Sequence, residues 1–176
     1  MSRTNKTLSL SPHDVCVAIQ RVLNPNQTFR ELAADVVLSV GEAHNATKRL
    51  EVSRLLLPER GHVNKRALLE FLVSGVPYAF PAELGPETRG VPTAHSGPVL
   101  SEMLDSIEGI VWPSPNGKSR GLSLKPLCEG APALPEKNPR LYEWLTVVDS
   151  LRVGRARDRQ MAKDYLEREL LGQSTT

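Results

Sequence analysis

In the stretch LSVGEAHNATKRL, Leu38 to Leu50, hydrogen-bonding side chains recur at helical spacing. At about 100° per residue, Ala43, Ala46, Thr47 and Leu50 share one face; Gly41, Asn45, Lys48 and Val52 lie opposite, with His44 and Arg49 on the flanks. The outer face is polar and basic. An Asn amide matches the paired edge groups of adenine, Lys and Arg reach guanine or phosphate, and Gly41 admits close approach of a backbone. Such a face predicts hydrogen bonding to nucleobase edges.

Other reactive constellations are not legible. The chain has no GxxxxGKS loop, no GxGxxG after a strand, no GxSxG and no HExxH. His13, His44, His62 and His95 are scattered without metal-ligand spacing, and adjacent His95 and Ser96 do not face each other as base and nucleophile. Cys16 and Cys128 stand alone, so reduced thiols are expected and neither a disulfide framework nor a zinc site. No enzyme activity, cofactor or metal is therefore expected. The one rival is the run Arg152, Arg155, Arg157 and Arg159, a possible phosphate grip for a nucleotide-handling enzyme; pairing with Asp149, Asp158 and Asp164 is the plainer reading.

The bulk properties set what can position these residues. The 176 residues, 40% hydrophobic and 24% charged, are globular values, and only 5% aromatics imply a core of Leu, Val and Ala that favours helices. A formal charge of +2 is nearly balanced and does not suggest coating of nucleic acid by bulk electrostatics, so any such binding rests on local Lys and Arg. Met1 to Asp14 holds no apolar leader-like run and no membrane-length apolar stretch occurs, so a soluble, cytoplasmic protein is expected.

Three helix starts follow in quick order. Ser11-Pro12-His13-Asp14 opens a helix to about Leu23 with Val15, Ala18, Ile19 and Val22 on one face. Thr28-Phe29-Arg30-Glu31 is a capping box opening a short helix with Phe29, Leu32, Ala33 and Val36. Ser39-Val40-Gly41-Glu42 is another, opening a helix to about Leu56.

A short helix, a tight turn and a longer helix with a hydrogen-bonding outer face resemble the helix-turn-helix of bacterial transcriptional regulators, broadly the MarR kind. Glu31-Leu32-Ala33 is similar to the ELA of that motif's second helix, Ser39 to the cap of its recognition helix, and Arg49-Leu50 to its closing RL. The likeness covers about Ser11 to Arg54. One departure is Val37, where many members carry Gly; a β-branched residue tolerates positive φ poorly, which predicts a different turn. The resemblance implies double-stranded DNA binding, with Ser39, Gly41, His44, Asn45, Lys48 and Arg49 at the major groove, and a homodimer.

A winged version needs a hairpin after the third helix. The expectation here is a helix capped by Asn64 and ended by Ser74-Gly75, a strand Val76 to Phe80, then a Gly85 to Gly90 loop as the wing with Arg89 on phosphate or in the minor groove. A second hairpin is expected between about Glu102 and Leu127, pairing Ile110-Val111-Trp112 with Gly121 to Leu124 across Asn116-Gly117. Gly130 to Pro139 reads as a linker. Leu141 to Leu171 reads as two helices, an antiparallel pair or an arm that buries its stripe on a second chain or protein partner.

The predicted architecture is mainly α with small β-hairpins. Residues 1–100 form a winged helix-turn-helix domain, 101–130 a hairpin segment, and 131–176 a linker and C-terminal helical pair. The expected function is a sequence-specific DNA-binding transcriptional regulator. The alternatives are a DNA-binding antitoxin whose C-terminal half holds a toxin, and an interaction module that packs its third helix on another protein.

Overall fold

The computed structural model describes residues 8–59, 61–103 and 108–172. Met1 to Thr7, most of the stretch read for a leader, lie outside the described residues, as does part of the Glu102 to Leu127 segment. The chain is mainly helical with small sheets. Among the described residues no helix is long and apolar enough to cross a membrane.

Helix α1 (Pro12–Leu23) starts where Pro12 needs no amide partner and the Ser11 amide donates to Asp14 Oδ2 at 2.7 Å. Its burial is wider than one face: Val15, Cys16, Val17, Ala18 and Ile19 are all at most 2% exposed. The reason is that α1 packs on α2 (Phe29–Val36) and α3 (Val40–Val52) and also on α7 (Pro139–Val153). One hydrophobic cluster consequently runs from Val15 through the N-terminal helices to Leu170. Cys16 and Cys128 meet inside it as free thiols, sulfur to sulfur at 3.0 Å, and burial with the adjacent Cys128 thiol pushes the Cys16 thiol well up.

Val37 does not avoid the left-handed turn. It adopts φ 58°, ψ 47°, and its amide and that of Leu38 reach back to Ala33 and Ala34 carbonyls as a helix-ending cap. For a β-branched residue this conformation costs on the order of 1–3 kcal/mol. What holds it is packing against Gly130, where any Cβ would lie 2.5 Å from the Val37 Cβ. Helix α3 ends at Val52, short of Leu56, because Arg54 turns left-handed at φ 62°.

The segment after α3 departs from expectation. A hairpin of β1 (Leu56–Leu57) and β2 (His62–Val63) follows at once. Helix α4 (Lys65–Glu70), capped by Asn64, then passes through a π turn (Phe71–Gly75) into α5 (Val76–Ala79), so Val76 to Ala79 is helix and no strand. Gly75 does not stop the helix; it gives the Phe71 ring room, and the widened turn lets the Val76 amide bond the Phe71 carbonyl just before Pro77, which has no amide to donate.

The Gly85 to Gly90 stretch is not the free loop expected of a wing. Strand β3 (Glu87–Pro92) is paired on both sides, its first half antiparallel to β5 (Ser119–Ser123) and its second half antiparallel to β4 (Ile110–Pro113). Two strands antiparallel to a third run parallel to each other, so β4 and β5 pair in parallel, Ile110 with Leu122, and close a three-stranded barrel instead of the expected hairpin. Gly90 is the residue both partners share. A Cβ there would stand 2.0 Å from the Trp112 carbonyl oxygen. Gly90→Ala is therefore expected to destabilise by about 1–3 kcal/mol in urea unfolding, as overpacking does; an unchanged midpoint would refute the closure.

Gly130 to Pro139 is packed and not a free linker: a 3-10 turn (Ala131–Ala133) and α6 (Leu134–Lys137) bury Ala131 and Leu134 completely. Helices α7 and α8 (Ala156–Leu171) pack together, and α8 also packs on α4. Their stripes, Leu141, Trp144, Leu145 and Val148 with Ala162, Tyr165 and Leu166, are buried in this chain's own core, which fits the helix-pair alternative and not the arm that buries its stripe on a second chain.

Candidate nucleic-acid interface

The outer face of α3 is built from its buried one. Ala43, Ala46, Thr47 and Leu50 are buried against α1 and α2, and Thr47 Oγ1 donates to the Ala43 carbonyl at 2.9 Å, spending its hydroxyl inside the helix. That orientation leaves Gly41, His44, Asn45 and Lys48 exposed. Ser39 caps the helix, its Oγ accepting the Glu42 amide at 3.1 Å, and stays exposed at the turn.

These residues differ in how free they are. Among the described residues, Asn45 and Lys48, one turn apart, make no side-chain hydrogen bond or ion pair. The His44 ring stacks on Phe29 of α2, centroids 4.0 Å apart and planes 22° from parallel. Gly41 faces open space, with nothing within 4 Å of an added Cβ. Val40 and Val52, at the two ends, are 47% and 62% exposed.

Arg49 is placed otherwise. Its guanidinium is 14% exposed and forks onto Asp14, Nε to Oδ2 and Nη2 to Oδ1, both at 2.8 Å. Nη2 also reaches Glu42 Oε1 at 2.9 Å, and His13 Nε2 lies 3.0 Å from Nη2. The Asp14 carboxylate holds the Arg49 proton well above the usual range, and Arg49 with His13 holds the Glu42 carboxyl below its own. Arg49 thus clamps α3 to α1 and is withdrawn from the outer face.

Arg89, expected beside α3, stands on β3 opposite Arg120, in the C-terminal barrel. The hairpin adjoining α3 is β1 and β2, which the sequence reading missed because two-residue strands show no alternation. The available signal was Pro58 and Gly61 between Leu56-Leu57 and His62-Val63; Gly61 takes φ 64°. His62 lies exposed on this hairpin, and Lys65 and Arg66 are exposed just after it.

The N-terminal unit is joined to the C-terminal half by polar contacts as well as core. Asn138, at the start of α7, donates to Gln20 Oε1 at 2.8 Å and to the Asp35 carbonyl at 3.2 Å, while Gln20 and Gln27 both donate to Asp35. Comparison of the chain with protein-family models, characterised proteins and solved structures returns no match.

Proposed function

We propose that α1 to α3 and the β1–β2 hairpin act as a winged helix-turn-helix that binds duplex DNA and regulates transcription. The observation that carries this reading is the pair Asn45 and Lys48, exposed and without partners on a helix whose opposite face is wholly buried. With α3 in the major groove, Asn45 reads adenine, Lys48 meets guanine or phosphate, and Ser39, Gly41 and His44 approach the backbone and base edges. The β1–β2 hairpin takes the place of the Arg89 segment as wing. Two copies as a homodimer would set their α3 helices about 34 Å apart on a palindromic site.

The test is binding to DNA from upstream of its own gene and to random duplex across a salt series. Lys48→Ala is expected to weaken binding and, where its contact is to phosphate, to lower the salt slope by about 1, while Asn45→Ala relaxes sequence preference. Failure to bind any duplex below about 0.1 mM at low salt would reject the reading. Exposed Val40 and Val52 favour a second reading, in which α3 packs on a protein partner. Association insensitive to salt and to Lys48→Ala would select it.

A further inference from the structure

A cleft of about 870 Å3 opens where the barrel meets the start of α8, and every residue lining it lies at or beyond Leu84, outside the proposed DNA-binding unit. Its volume falls in the range of small-molecule sites. Ile110, Leu122 and Val153 give it an apolar patch beside several charged groups. Most of those groups already have a partner. Arg120 Nε pairs with Glu87 Oε1 at 3.0 Å, Asp158 accepts the Arg155 amide at 3.1 Å, and His95 and Glu108 are each engaged, His95 with the Glu108 carbonyl at 2.7 Å. Among the described residues, the guanidiniums of Arg155 and Arg157 have no hydrogen-bond acceptor or ion-pair partner.

The arginine-rich run is thereby divided. Arg152 is buried against Asp149 and serves the fold, whereas Arg155 and Arg157 border the cleft. A guanidinium presents a planar fork that matches an oxyanion with two parallel hydrogen bonds, and two of them lining the same cleft as an apolar patch favour a molecule with an anionic head and a partly apolar body.

We infer that this cleft binds a small oxyanion-bearing ligand, a phosphate ester or a carboxylate, through Arg155 and Arg157. Its Ile110 and Val153 belong to a small hydrophobic cluster with Ala94 and Leu124, separate from the core that holds α1.

The experiment is an isotope-labelled amide and arginine side-chain spectrum of the full chain, titrated separately with inorganic pyrophosphate and with succinate, ionic strength held constant with sodium chloride. Saturable shifts confined to Arg155, Arg157 and the amides of Ile110 and Leu122 are expected, and the stronger titrant identifies phosphate or carboxylate. Each of Arg155→Gln and Arg157→Gln should weaken that affinity about tenfold. Both side chains are exposed, so the remaining spectrum reports that the fold is kept. Shifts that rise linearly without saturation, or that persist in the double variant, would overturn the inference. So would a double variant that loses duplex DNA binding while neither anion shifts the cleft, since the arginines would then be DNA contacts. Loss of the DNA reading alone leaves this site intact, because no residue is shared.

Discussion

Asp149→Leu is expected to cost about 3–5 kcal/mol and to leave the chain largely unfolded at moderate urea, the largest effect of any single change considered. The carboxylate is 1% exposed and gathers three parts of the chain: Oδ2 accepts from Thr93 Oγ1 at 2.6 Å and from Trp112 Nε1 at 2.7 Å, and Oδ1 accepts from Arg152 Nη1 at 2.8 Å. Arg152 in turn donates to the carbonyls of Phe80 and Lys125 at 2.9 and 3.3 Å. Burial pushes the Asp149 carboxyl up against the pull of Arg152, Thr93 and Trp112, which offset part of the desolvation. Removing the acid alone strands a guanidinium that is 5% exposed. The double variant Asp149→Leu with Arg152→Met should recover part of the loss, but not the share belonging to the orphaned Thr93 and Trp112 donors. Urea unfolding of both variants measures this. A double variant no better than the single would sink the ion-pair account.

Arg49→Ala should lose about 2–3 kcal/mol, while Lys48→Ala, its sequence neighbour, should stay within about 0.5 kcal/mol of the parent. The difference follows from placement: Arg49 neutralises Asp14, itself 1% exposed, whereas Lys48 is exposed and has no ion pair among the described residues. Equal midpoints for the two would contradict the clamp. The same cluster carries a pH dependence. Glu42 is held below the usual carboxylate range, so its contribution is complete above the unfolded-state value and drains away as pH falls through the folded one. Glu42→Gln should therefore lower stability at neutral pH and flatten the acid limb of a stability–pH curve, the two curves converging as pH falls below the ordinary carboxylate range.

Arg49 also shows where reading residues along a helix stops being enough. Its angular position on the flank of α3 suits a base contact as well as an inward clamp, and only the arrival of Asp14 from α1, 35 residues earlier, decides between them. The caps of α1, α2, α3 and α4 were legible because a capping residue acts on amides within four positions of itself. The inward set Ala43, Ala46, Thr47 and Leu50 was legible for a similar reason, since helical period and burial coincide. Val37 was not. Its left-handed backbone is held by packing on Gly130, a residue of the other half of the chain.

Glycine and proline misled where their purpose was distant. Gly90 and its neighbours read as a loop because they punctuate; in the fold they let two backbones cross at van der Waals distance of a third. Ala131 and Leu134 sit among prolines and were read as linker, yet the core closes over them.

By itself the sequence determined α1 to α4, the helical character of α7 and α8, the caps of α1 to α4, and the polar character of α3's outer face, because these depend on hydrogen bonds and periodicity within a turn or two. The tertiary structure alone decided that Arg49 faces inward, that three strands close a barrel, that the C-terminal stripes fill this chain's own core, and that Arg155 and Arg157 border one cleft. Those outcomes depend on groups tens of residues apart meeting in space, where desolvation and close packing, not local propensity, set the energy.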